Sequence, residues 1–367
     1  MNHDGDFSGS YAPDDVRFLL KPIQVPNTPV EEKERLIQSG AKHYSEMLTH
    51  EAAPSAAYLQ LFHDALAENA GQMAQHVLDL ACRVRNDQRA RGADEITLVS
   101  LARAGTPIGV LLKRVLQQRL FVSGVEHYSI SIIRDRGIDE NALRYLLRRH
   151  RPESLVFVDG WTGKGVIAGE LKKSLHAFWQ KYRLHIAPDL YVLTDLSGSA
   201  AAAASHADYL IPSSILNATV SGLISRSVLD AAQLSDSDFH GCHYYQDFRH
   251  CDLSNTFIDA ILAHVADCSP GQPPASEEKQ AMREQSTAFL AWVGKTYGVH
   301  NPNLIKPGIG EATRVLLRRS ADRVLVNNKA DPAIAHLRHL CAQKNIFITT
   351  LPALPYRAVA LIRNTRS

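Results

Sequence analysis

The stretch "SLVFVDGWTGKGVIAGEL", residues 154–171, runs from an apolar segment to an acid, through a glycine-rich turn, and into a helical pattern. Ile167, Leu171, Leu175 and Trp179 recur every four residues, which predicts a helix with one face on a sheet. That helix is expected to start just after Thr162, Gly163, Lys164 and Gly165. Unpaired amides at a helix start, beside glycines that permit close approach, suit an anion such as phosphate. Asp159 at the strand end suits sugar hydroxyls, and Lys164 adds a point charge. The same glycines would equally serve a plain strand-to-helix turn. A Walker A loop fits poorly: its first glycine is missing, and Gly165 stands where Ser or Thr should hold magnesium.

Strand and helix patterns alternate around this stretch. "EITLVSLA", "EHYSISII", "SLVFVD" and "DLYVLTD" read as strands, separated by the helical "TPIGVLLKRVLQQR", "DENALRYLLRRH" and "KGVIAGELKKSLHAFWQKYR". This βαβ signature predicts an α/β domain with a parallel sheet. Residues 1–90 read as an extended arm followed by a helical elaboration, and 91–267 as the sheet domain. The polar, Pro-rich 268–283 reads as a linker, and 284–367 as a connecting helix with a small second α/β domain. A second glycine turn, Ala102-Arg103-Ala104-Gly105-Thr106, again lies between strand and helix. Two such turns at strand ends of one sheet suit a ligand carrying phosphate at both ends.

Composition sets the bounds. Of 367 residues 45% are hydrophobic and 21% charged, which is ordinary for a globular protein. Five scattered cysteines give neither a disulfide framework nor a zinc spacing, so a cytoplasmic location is expected. No long apolar run or signal-type N-terminus predicts a membrane span, and an oligomer is compatible with the composition. From Asn301 onward 11 Lys and Arg face 3 Asp and Glu, a balance of +8, whereas the whole chain carries only +2. A polyanion partner is expected for this end.

On these motifs, "ARAGTPIG" resembles the pyrophosphate loop of type I phosphoribosyltransferases, and "VFVDGWTGKG" resembles their signature for phosphoribosyl pyrophosphate (PRPP). The resemblance implies a type I phosphoribosyltransferase-like parallel sheet. Thr162, Gly163, Lys164 and Gly165 would hold the 5′-phosphate and Asp159 the ribose. Ala102, Arg103, Ala104, Gly105 and Thr106 would hold pyrophosphate bridged by Mg²⁺. Arg134 and Arg136, in the charged "IIRDRGID" loop, would neutralise the leaving group, and Asp208, Tyr209 and Ile211 would shape a nucleobase pocket. Gly160 departs from the pattern by replacing a second acid, and Gly165 by replacing a Thr. The expected reaction is phosphoribosyl transfer to an unidentified nucleobase-like acceptor. A non-catalytic nucleotide sensor is the other reading of the same site.

"FSGSYAPDDVRFLLKPI", "GAKHYSEML", "HYSISIIRDRGID" and "VSGLISRS" resemble the StiP-like family of bacterial tellurite-resistance and stress gene clusters, over about residues 7–265. Some members of that family carry a cysteine protease label. Cys242, in "DFHGCHYYQD", is then the candidate nucleophile, with His240, His243 and Asp247 nearby. Neighbours on a strand point to opposite faces, so Cys242 and His243 are not expected to pair, and a buried, inert Cys242 is the expected reading with the protease as its rival. "IKPGIGEATRVLLRRSADRVLV" and "DPAIAHLRHLCAQKNIFITTLP" resemble the Pelota and L7Ae-type RNA-binding domain. By position, Lys306, Gly308, Gly310, Glu311, Thr313 and Arg314 would contact RNA, with Arg318, Arg319 and Arg323 extending the basic face. Gly310 stands where the RNA binders carry Asn.

Overall fold

A computed structural model describes residues 7–272, 274–299 and 301–363. The first six residues of the expected arm, positions 273 and 300, and the last four residues of the expected second domain lie outside the described residues. The chain enters on β1 (Arg17–Leu19) and β2 (Lys21–Pro22), then forms α1 (Val30–Ser39) and the 35-residue α2 (Ala56–Ala90). Ser55 opens α2 by accepting the Tyr58 N–H, satisfying one donor that the helix start leaves free.

Alternation follows as the sequence predicts: β3 (Ile96–Ala102), α3 (Thr106–Arg114), β4 (Val125–Ile133), β5 (Gly137–Ile138), α4 (Glu140–Leu147), β6 (Leu155–Thr162), α5 (Val166–Tyr182), β7 (Leu190–Asp195) and β8 (Ala202–Ser205). The sheet order is β1-β4-β3-β6-β7-β8, every pair along it parallel, and β5 adds antiparallel to β4. Helices cover both faces, which is why β3 and β7 read as unbroken apolar runs. One face packs on α2, α3 and α6 (Ser254–Val265), which follows the short β9 (Gly241–Cys242). The other packs on α4 and α5. On α5 the inward residues are Ala168, Leu171, Leu175 and Phe178, whereas Trp179 is 38% exposed. The helix turns every 3.6 residues, so a strict four-residue spacing drifts off the core.

The second domain begins with α7 (Ser276–Tyr297), which starts inside the stretch expected as linker. β10 (Ile305–Pro307), α8 (Ile309–Arg318), β11 (Ala321–Val326), α9 (Ala335–Gln343), β12 (Phe347–Thr350) and β13 (Ala358–Ile362) complete it. Its sheet runs β10-β13-β11-β12, parallel only between β11 and β12. Among the described residues no helix is long and apolar enough to cross a membrane.

Candidate functional site

The two glycine turns do meet. They follow β3 and β6, which are hydrogen-bonded neighbours, so both lie at the carboxyl edge of the sheet. A Cβ on Gly105 would approach the Val158 carbonyl to 2.5 Å, and one on Gly160 would lie 3.8 Å from the Ala104 carbonyl. β6 runs on to Thr162, so the true turn is only 163–165, with Gly165 at φ 75°. Thr162 points into the sheet, where its hydroxyl donates to Asp195.

Asp195 was not singled out in the sequence. Its carboxylate also accepts the N–H groups of Ser197, Ser199 and Ala200, fixing the loop after β7 beneath the 163–165 turn. The available signal was an acid at a strand end followed by "LSGSA", the pattern of a side chain folding a loop onto itself.

The second domain lies directly on these turns. Lys164 Nζ donates to the Pro302 carbonyl, and Arg134 Nη1 donates to Asn303 Oδ1 at 3.1 Å. Arg314 stacks over the Trp161 ring at 5.2 Å, while a Cβ on Gly163 would come within 3.2 Å of the Pro307 carbonyl. Asp208 Oδ1 and Oδ2 accept the Ile309 and Arg357 N–H groups at 2.8 Å each. Between the domains lies a cavity of about 10 Å³, walled by Trp161, Asp208, Tyr209, Ile211, Gly308, Gly310 and Glu311 among others. That is room for about one water molecule.

This closure changes the charges of the cleft. Desolvation pushes the Asp159 carboxyl up to about 7, against the pull of the Gly160 N–H and Arg314. Burial, with Lys306 beside it, brings Lys164 down to about 8. Desolvation would raise Glu311, but Arg314 and Lys306 outweigh it and hold the carboxyl below its ordinary range.

Several residues expected to hold ligand are engaged by the protein itself in this packing. Arg103 is spent on the protein: it donates to Ile224 O and Asn217 Oδ1 and pairs with Glu51 at 2.5 Å. Thr106 is fully buried, its hydroxyl 2.7 Å from Ser129 Oγ. Arg136 pairs with Glu46 at 2.9 Å. Asp208 holds the second domain, Tyr209 is buried with its hydroxyl 3.2 Å from His76 Nδ1, and Ile211 is core. Among the described residues no group of three or more His, Cys, Asp or Glu is placed to hold a metal ion.

Most of the expected RNA-contact side chains are engaged within the protein as well, while Arg319 and Arg323 stay about 40% exposed. Thr313 is fully buried and bonds to Ile309 O and His336. Lys306 and Arg314 both pair with Glu311. Arg318 donates to the carbonyls of Ser214, Ile215 and Leu216, Arg319 pairs with Glu34, and Arg323 with Asp322.

Cys242 lies elsewhere, on β9, which pairs in parallel with β2. Lys21 N–H donates to His240 O at 2.9 Å and Ile23 N–H to Cys242 O at 2.8 Å, so the backbone from 240 to 242 is extended. His240 and Cys242 therefore share one face and His243 takes the other. Cys242 is fully buried, and desolvation pushes its thiol up to about 12. The His240 ring Nδ1 lies 2.8 Å from Ser131 Oγ, and its backbone N–H donates to Asp139 Oδ2 at 2.6 Å. Burial lowers the His240 pKa, with Asp139 opposing. The spacing of two between His240 and Cys242 was the legible sign of this pairing of faces. His243 instead stacks on His50 at 4.9 Å and lines an open cavity of about 550 Å³ with Glu51, Tyr245, Asp247 and Phe248.

The sequence model described as "Tellurite-like stress resistance cysteine protease StiP" matches residues 9–262. The protein named "Cysteine protease StiP" from Acinetobacter baylyi is 41% identical over 370 residues, covering 97% of this chain and 94% of the relative. The chain belongs to the StiP family. Its second domain matches the PELOTA RNA binding domain model over residues 284–364. No solved structure matches the chain significantly. Membership of StiP overturns the phosphoribosyltransferase reading, and with it PRPP, the nucleobase acceptor and Mg²⁺, because a relative matched along nearly its whole length is named a cysteine protease.

Proposed function

We propose that this chain is a cysteine protease with Cys242 as nucleophile and His240 as its base. The observation that carries this is the 41% identity to a relative bearing that name across 97% of the chain. Cys242 is favoured among the five cysteines because His240 shares its face of the extended segment. The Cys242 thiol would pass its proton to His240 and attack a peptide carbonyl as the thiolate, and His240 would then give that proton to the leaving amine. Water would cleave the resulting thioester and regenerate the thiol. Asp139, bonded to the His240 backbone, positions that residue.

Burial pushes the Cys242 thiol up to about 12, so attack requires its proton to pass to a base such as His240. β2 and β9 are two residues each, paired with one another and bridged from Val228 to Gly241, with further bonds from Lys21 to Gln233 and from His240 to Asp139 and Ser131. The test is cleavage of a fluorogenic peptide library. Cys242→Ala should abolish it while Cys251→Ala leaves it intact, and cleavage surviving in Cys242→Ala would reject the assignment.

A second reading concerns the other domain alone: RNA binding, favoured by the model match over residues 284–364. Its test is the salt dependence of RNA affinity and its loss in the Lys306→Ala/Arg314→Ala pair. For the sheet, parallel strands with glycine turns at two neighbouring tips support a type I phosphoribosyltransferase-like fold as ancestry, without that chemistry.

A further inference from the structure

The second domain turns toward its own first domain the residues by which its sequence resembles an RNA binder. β10, the α8 start and the approach to β13 all rest on loops at the carboxyl edge of the large sheet. The contacts are specific on both sides. Asp208 serves as an acceptor for the first free N–H of α8, a donor that the helix itself leaves unpaired. It also takes the Arg357 N–H, so one carboxylate ties two separate segments of the second domain. Arg314 lies over Trp161, and Lys164 reaches the Pro302 carbonyl. Gly308 sits so close that a Cβ would meet Leu196 at 2.6 Å, and φ 95° there excludes most other residues in any case.

RNA would need the same groups. A phosphate at the α8 start would compete with Asp208 for the Ile309 N–H, because both are anions seeking the same donor at the positive end of the helix. A base or backbone contacting Arg314 would compete with Trp161. The two occupants would also compete for space, since Arg314 and the α8 start already contact Trp161 and Asp208 across the interface.

We infer that the second domain is an autoinhibited lid: docked, it closes the strand-end cleft and hides its own RNA-binding turn, and opening exposes both surfaces together. The Asp208 carboxylate is the pin, mimicking an RNA phosphate at the helix start. This inference rests on the RNA reading of the second domain, and the experiment separates the two.

The full-length chain and its Asp208→Ala variant are compared by hydrogen exchange and by anisotropy of a fluorescein-labelled RNA hairpin with an asymmetric internal loop. In the variant, exchange should rise at least tenfold at both 160–165 and 308–314, with the central strands unchanged, and RNA should bind at least tenfold more tightly. Adding Arg314→Glu to that background should remove the gain. Should Asp208→Ala fail to fold, Trp161→Ala carries the same two readouts. Equal RNA affinity in both proteins would overturn the lid while leaving RNA binding standing. Coupled exchange without any RNA binding would overturn the competition because the RNA reading itself had failed. Exchange rising at 308–314 but not at 160–165 would reduce Asp208 to a local helix cap and end the proposal.

Discussion

Asp208 Oδ1 accepts the backbone N–H of Ile309 at 2.8 Å, a bond between residues 101 positions apart that caps a helix of one domain from the other. Asp208→Asn keeps one acceptor but presents an amide donor toward the Ile309 or Arg357 N–H. The expected loss is about 1–3 kcal/mol, the cost of leaving a buried donor without its charged acceptor. Urea unfolding should show a lower midpoint, or a first transition separating the two domains.

Asp159 predicts a pH dependence. Its carboxyl is raised to about 7 in the fold, against 3.8 for the ordinary group. Between these values the folded chain holds a proton that the unfolded chain has released, so this group makes stability fall as pH rises from roughly 4 to 7. Asp159→Asn removes the ionisation. Chemical denaturation at pH 5 and pH 8 should show a smaller loss in the variant than in the wild type.

Helix α5 gives a test of register. Phe178 is 1% exposed and Trp179 is 38% exposed. Phe178→Ala should cost about 3–5 kcal/mol, whereas Trp179→Ala should cost well under that because part of its ring already sits in water. Equal losses in thermal or urea unfolding would place the helix in a different rotation.

Gly109 reverses a usual rule. Gly-to-Ala within a helix ordinarily gains up to about 1 kcal/mol. Here an added Cβ would meet His127 Nε2 at 2.1 Å, and His127 is pinned between Asp15 O at 2.9 Å and Ser100 Oγ at 2.8 Å. Gly109→Ala is expected to destabilise by about 1–3 kcal/mol, the range for forcing extra volume into a packed core. A raised unfolding midpoint would contradict it.

The sheet was legible because its strands are buried on both faces and its turns carry glycine, both local signals. The meeting of 103–106 with 160–165 followed from the order of strands. The drift from Trp179 to Phe178 shows where a rough periodicity loses the true helix face. Docking was not legible: nothing in "HADYLIP" announces that Asp208 will hold Ile309 and Arg357. Arg103 reads as a free cation in "ARAGTP", yet Glu51, Asn217 and the Ile224 carbonyl, all distant in sequence, consume it. The glycine turns keep the positions the sequence gives them, while tertiary contacts engage Arg103, Arg136 and Asp208 elsewhere in the protein.

The thiol chemistry is tested most directly by covalent capture. The chain is treated with a peptidyl epoxide that traps catalytic thiolates, during turnover of a peptide substrate, and the modified cysteine is located by mass spectrometry. Modification of Cys242, lost in His240→Ala while the circular dichroism spectrum is unchanged, is the predicted result. Capture at Cys82, Cys251, Cys268 or Cys341 instead, or cleavage that continues with no thiol modified, would contradict it.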